Sequence, residues 1–145
     1  AHHHEDLTPD AAMIRGCLDA AEGAATRLGM KTHVAISLPH CAFDAARYPQ
    51  LLFGGCSLST GTPGWTIDPW GRLRACSISQ EPLGDLRREP WETLVARARA
   101  GPLRDLCAVP QRCMDCGSLR QCRGGCRESA RASSGGYGAM DPLVA

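Results

Sequence analysis

Cys113-Met114-Asp115-Cys116-Gly117-Ser118-Leu119-Arg120-Gln121-Cys122-Arg123-Gly124-Gly125-Cys126 is the stretch on which the reading of this chain turns. It holds four cysteines in fourteen residues, opens on a Cys-x-x-Cys turn and closes behind a glycine pair. Thiolates are soft ligands, and a turn that presents two of them at once loses little chain entropy on binding. Such a stretch therefore converges readily on a metal ion or an iron–sulfur cluster. Cys-x-x-Cys alone does not choose between zinc ribbons, redox motifs and ferredoxins.

The rest of the composition narrows the classes. Nine cysteines in 145 residues, without a secretory signal peptide, point to metal or redox chemistry in a reducing compartment, and the odd number does not suit a disulfide framework. The expectation is a soluble, cytoplasmic protein, because no apolar run is long enough to span a bilayer. A net charge of +1, with Lys31 the single lysine, gives no electrostatic case for nucleic acid or an acidic membrane as partner. His2, His3 and His4 lie at the extreme end and receive no site role. The chain enters a helix almost at once, as the tail of a longer polypeptide would.

Thr8-Pro9-Asp10 reads as an N-cap followed by a first-turn proline, and Ile14, Cys17, Leu18, Ala21, Ala25 and Leu28 recur at helical spacing. An amphipathic helix is expected over 8–29, with Cys17 a buried thiol on its apolar face, and an alternating strand over Thr32 to Leu38 that carries a packed or surface His33. Residues 40–55 show no regular period. Asp68-Pro69-Trp70-Gly71 has the residues of a tight turn between strands Trp65–Ile67 and Arg72–Cys76, a hairpin that returns Cys76 near Cys56. Pro90 starts a helix reaching Gly101 or Leu106, with Trp91 as a core anchor, and Glu128 to Ala132 extends a short helix before a Ser133-Ser134-Gly135-Gly136 turn.

Cys56, Cys76, Cys113, Cys116, Cys122 and Cys126 all occupy turn-like or glycine-flanked positions. Zinc takes four ligands in a tetrahedron, so six such cysteines suit two centres rather than one ion. The full pattern is Cys56, fourteen residues, Gly71, four residues, Cys76, a gap, then Cys-x2-Cys-x5-Cys-x3-Cys. It resembles the SPASM domain, the C-terminal extension of many radical S-adenosylmethionine enzymes. Ile67-Asp68-Pro69-x-Gly71, Glu81-Pro82-Leu83-Gly84, Trp91-Glu92, Cys122-x-Gly124-Gly125-Cys126 and Asp141-Pro142 add to the likeness.

The resemblance implies an α+β fold: a small cysteine-rich domain with a β-hairpin and short helices over 54–145, preceded over 1–53 by the last helix and strand of a partial (β/α) barrel plus a linker. It implies two auxiliary iron–sulfur clusters of the [4Fe–4S] type, a radical S-adenosylmethionine core as partner, and a peptide or protein as substrate. By the same likeness Cys56, Cys76 and Cys126 hold the first cluster, and Cys113, Cys116 and Cys122 the second, an interleaving also found in two-cluster ferredoxins. Cys41, at the exit of a barrel strand, is the candidate fourth ligand of the first cluster. The family's final cysteine is missing where Val144 stands, so Asp141, Cys107, a cysteine beyond Ala145 or an open iron would complete the second. The Cys-x3-Cys-x2-Cys motif of the radical core is absent, so this chain by itself is not expected to cleave S-adenosylmethionine. The alternatives are a zinc-binding structural or interaction module on the same cysteines and a free-standing electron carrier.

Overall fold

The structure is a computed structural model that describes residues 9–60, 63–102 and 107–144. Among these the chain is mixed α and β, with four α-helices and two small sheets. Helix α1 (Ala11–Leu28) starts at Asp10, whose Oδ1 accepts the Met13 N–H at 2.8 Å, and so relieves an orphan donor of the first turn. The capping residue is thus Asp10, and Thr8 lies outside the described residues. Gly29, at φ 63°, ends the helix, and the Met30 N–H reaches back to Ala25 O at 2.9 Å.

Strand β1 (Thr32–Val34) is shorter than the alternation to Leu38 suggests, and it pairs in parallel with β2 (Leu51–Phe53) in the register Thr32 to Leu51. A parallel pair needs a crossover, supplied here by 35–50. Because β2 is only three residues long, it leaves no alternating period to read in the sequence. Ile14 and Leu18 of α1 bury against Leu38, Phe43, Tyr48 and Leu51, and Leu143 from the far end of the chain packs on the same cluster. At about 1.5–3 kcal/mol for each large apolar side chain removed from water, this cluster is the main force holding α1 on the β1–β2 pair. Cys17 is exposed rather than buried, because α1 has no covering element on that side among the described residues.

The second sheet is an antiparallel meander of β3 (Thr66–Ile67), β4 (Arg72–Arg74) and β5 (Gly84–Asp85). Asp68 organises its first turn. Its Oδ1 accepts the N–H groups of Trp70 and Arg72 at 3.0 Å, and its Oδ2 accepts Arg72 Nε at 2.8 Å and Arg74 Nη2 at 2.9 Å. Burial pushes the Asp68 carboxyl up, but the Arg72 N–H and the two guanidinium groups outweigh it and hold the pKa at about 2, below the ordinary 3.8. A depressed carboxyl stabilises the fold above its unfolded pKa and loses that contribution as the pH falls through about 2. Asp68→Asn is therefore expected to flatten the acid limb of thermal stability between pH 3.8 and about 2. Parallel acid limbs in the two proteins, followed by circular dichroism, would count against this role for Asp68.

Helix α2 (Trp91–Ala100) buries Leu94 and Ala98, while Trp91 remains 38 % exposed and meets Trp65 edge-on at 5.6 Å. It is half a lid on the meander rather than a core anchor. A helical continuation past Gly101 would fall on 103–106, outside the described residues. Cys56, Leu58, Ala75 and Ala98 form a second buried cluster, flanked by Trp65, Cys76, Leu83 and Tyr137. Two short helices follow, α3 (Leu119–Cys122) and α4 (Arg127–Ser134), the latter running through Ser133 and Ser134 to a left-handed Gly135. No helix of the described residues is long and apolar enough to cross a membrane.

Candidate metal centres

Four thiols line one cavity of about 20 Å³: Cys41, Cys113, Cys116 and Cys122. Each arrives on a different local device. Cys41 follows Pro39, whose carbonyl accepts the Ala42 N–H at 3.0 Å and bends the crossover inward. Cys113 closes a 3-10 turn, with its N–H on Pro110 O at 2.8 Å. The Cys116 N–H then bonds Cys113 O at 3.1 Å, so the Cys-x-x-Cys segment forms successive turns that face one side. Cys122 ends α3, and its Sγ accepts the His40 N–H at 3.4 Å, which ties the crossover to the cysteine-rich stretch.

These thiols act on one another. Burial pushes the Cys113 thiol up, and Cys122, Cys41 and Cys116 add to the rise, while the Arg127 charge opposes it. Burial likewise raises Cys41, with Cys122 and Cys116 contributing. Crowded thiolates repel, so burial and neighbouring sulfurs disfavour the charged forms of Cys41 and Cys113, and a bound cation would relieve the repulsion. Among the described residues no three His, Cys, Asp or Glu side chains stand close enough to hold a single metal ion. A tetrahedral zinc with bonds of ~2.3 Å would draw its sulfurs to within about 3.8 Å of one another, so the thiols would have to rotate inward to take one.

Beyond Cys122 the chain reverses through three successive left-handed residues: Arg123 at φ 56°, and Gly124 and Gly125 at 83°. This sends Cys126 away from Cys122 to cap α4, where its Sγ accepts the Ser129 N–H at 3.5 Å. Cys126 and Glu128 both act electrostatically on Cys76, whose thiol is raised first by burial and then by these two. Cys76 packs on the cluster that contains Cys56. Cys107 Sγ donates to Leu58 O at 3.0 Å, which brings a further cysteine to the same cluster. Gly55 joins the two groups: a Cβ there would lie 2.4 Å from Gln121 O, so only glycine lets the chain before Cys56 touch the chain before Cys122.

The structure thus brings Cys113, Cys116 and Cys122 to one cavity, while of the other trio it sets Cys76 against the cluster that contains Cys56 and within electrostatic reach of Cys126. It places Cys41 with the first of these trios rather than the second, because the crossover is pinned to Cys122. Asp141 is buried at 1 % exposure and faces backbone instead of sulfur: Oδ2 accepts the Cys126 N–H at 2.8 Å and Oδ1 the Leu143 N–H at 3.0 Å. Burial raises its carboxyl above the ordinary range.

Two residues at the site had no part in the sequence reading. His40 lines the four-cysteine cavity, with its ring edge-on to Phe53, and Arg127 lies fully buried behind Gly124. Their positions beside Cys41 and Cys126 were the only available signal. In comparison with known proteins, the chain matches no family model, and no curated protein and no solved structure is significantly similar to it.

Proposed function

We propose that this chain is the auxiliary-cluster region of a radical S-adenosylmethionine enzyme, with one [4Fe–4S] centre on Cys41, Cys113, Cys116 and Cys122. A second would rest on Cys56, Cys76 and Cys126, completed by Cys107. The observation that carries the reading is the convergence of four thiols from three separate turns on one cavity, since soft donors gathered at the cost of mutual repulsion suit a cationic iron core. When bound, such clusters pass electrons to or from a substrate radical or bind substrate at an iron.

The chain's own residues supply ligands, burial and orientation. The His40 N–H directed at Cys122 Sγ and the Ser129 N–H directed at Cys126 Sγ are hydrogen bonds of the kind that raise a cluster's potential. Asp141 fixes the entry to Cys126 from behind. With Cys41 supplying a fourth thiol, the first centre is expected to be fully ligated by this chain. Electron transfer is then its more natural role than substrate binding at an open iron.

A partner carrying the Cys-x3-Cys-x2-Cys core has a place to dock. An apolar groove of about 390 Å³, lined by Met13, Ile14, Cys17, Val34 and Ile36 among others, opens between α1 and β1. Among the described residues β1 pairs on one side only, with β2, so its other edge suits a further parallel strand of a barrel. On this reading α1, β1 and β2 are the end of that barrel, and the reacting substrate is a peptide or protein side chain.

Anaerobic reconstitution with iron and sulfide is expected to give a brown protein with broad absorbance in the visible and a paramagnetic resonance signal on reduction. A colourless product holding stoichiometric zinc would instead establish the zinc-module alternative.

A further inference from the structure

Arg127 is 0 % exposed, yet among the described residues no salt bridge includes it. Its Nη1 donates to Tyr137 O at 2.8 Å and Ala139 O at 2.9 Å, and its Nη2 donates to Gly124 O. Buried Nε has no hydrogen-bond partner. Carbonyls satisfy N–H groups, but they do not neutralise a guanidinium, and an unpaired buried cation is costly. Asp141 acts on it electrostatically, but both Asp141 oxygens accept backbone N–H groups and no ion pair joins the two side chains. Among the described residues Arg127 therefore has carbonyl partners but no contact ion pair.

The four-cysteine cavity lies on the other side of Gly124. Gly124 lines that cavity, its carbonyl is held by Arg127, and a Cβ on it would lie 3.1 Å from Arg127 Nη2. A dication held by four thiolates is net dianionic, and so is a [4Fe–4S] core in its usual state on four thiolates. We propose that Arg127 is the fixed counter-charge of the Cys41, Cys113, Cys116 and Cys122 centre, a positioning residue that holds the Gly124 wall and offsets the negative charge of the ligated cage. The guanidinium fork can hold three carbonyls while its charge faces the cage. The proposal concerns the same site as the cluster reading, and its redox arm rests on that reading. Its cadmium arm does not.

Two measurements test it. In the full chain carrying Cys76→Ala, which leaves the four-cysteine cage as the main thiolate site, Cd²⁺ is titrated against a chelator and followed by its thiolate charge-transfer band. Arg127→Met is expected to weaken Cd²⁺ binding by roughly 10–100-fold, the usual effect of losing a residue behind the ligands. Arg127→Lys, which keeps the charge but not the fork, should recover most of that loss. Unchanged affinity in Arg127→Met, or an equal loss in Arg127→Lys, overturns the proposal in favour of an uncharged clasp.

If Arg127→Met fails to fold, Arg127→Lys decides alone, retained Cd²⁺ affinity supporting the proposal and a loss of roughly tenfold or more overturning it. In the reconstituted iron protein, the midpoint potential of the centre lost in Cys116→Ala should move negative in Arg127→Met and return in Arg127→Lys. An unmoved potential overturns the proposal. Absence of any iron centre in the unsubstituted protein removes the cluster reading and leaves the cadmium result to judge Arg127.

Discussion

Cys41→Ala is expected to abolish the same iron–sulfur centre as Cys116→Ala and to spare the one lost in Cys76→Ala. Cys41 shares a cavity with Cys113, Cys116 and Cys122, and its thiol responds to Cys122 and Cys116. Removing one ligand of four leaves an iron without a sulfur donor, and cluster binding is coupled to the complete ligand set. Cys41 is exposed, so the substitution opens no core cavity and the fold should survive it.

Iron content should fall to about half in each of the three variants if each centre is a four-iron cluster. Paramagnetic resonance then assigns which signal is gone. Cys41→Ala and Cys76→Ala losing one signal in common, with Cys116→Ala losing the other, would restore the partition implied by the family resemblance and refute the one drawn from the cavity. Loss of a single shared signal in Cys116→Ala and Cys76→Ala would refute the division into two centres altogether.

Gly125→Ala should be the most damaging conservative change at the site. Gly125 has φ 83°, and a Cβ there would stand 2.5 Å from Asp141 Oδ2 and 2.9 Å from its Cγ. Left-handed backbone alone costs a non-glycine residue roughly 1–2 kcal/mol. The clash adds to it by displacing a carboxylate oxygen that holds the Cys126 N–H, and freeing a buried donor costs about 1–3 kcal/mol more. A total loss of about 2–5 kcal/mol in denaturant unfolding follows, together with loss of the centre containing Cys126.

Gly135→Ala separates the two causes, because Gly135 has φ 79° but nothing within 4 Å of the added Cβ. It should cost only the backbone term of about 1–2 kcal/mol and leave both centres loaded. Equal losses at the two glycines would mean that Asp141 is not the obstacle.

The elements that were legible in the sequence are those with a local cause. The α1 periodicity, the Asp68 to Gly71 turn, and the left-handed turn that Gly124 and Gly125 give the chain behind Cys122 all act within a few residues of themselves. The strand β2, the exposure of Cys17 and the half-open position of Trp91 were not legible, since each depends on which distant element covers the residue. Asp141 shows the same division. Its place beside Pro142 marked it as noteworthy, but that its oxygens face Cys126 N and Leu143 N depends on the packing of the last turn against the left-handed Gly125.

By itself, the sequence determined where the nine cysteines stand along the chain and which turn residues flank them, and the expectation of two metal-binding groups rests on that spacing alone. Spacing and turn residues are local. Only the tertiary structure decided that Cys41 joins Cys113, Cys116 and Cys122, because that depends on a crossover folding back 82 residues to place the His40 N–H on Cys122 Sγ. It also decided that a fully buried Arg127, in no salt bridge among the described residues, holds the carbonyl of Gly124 at the wall of their cavity. Contacts of that length are set by the packing of α1 on its sheet and of the chain end on both, and no spacing in the sequence encodes them.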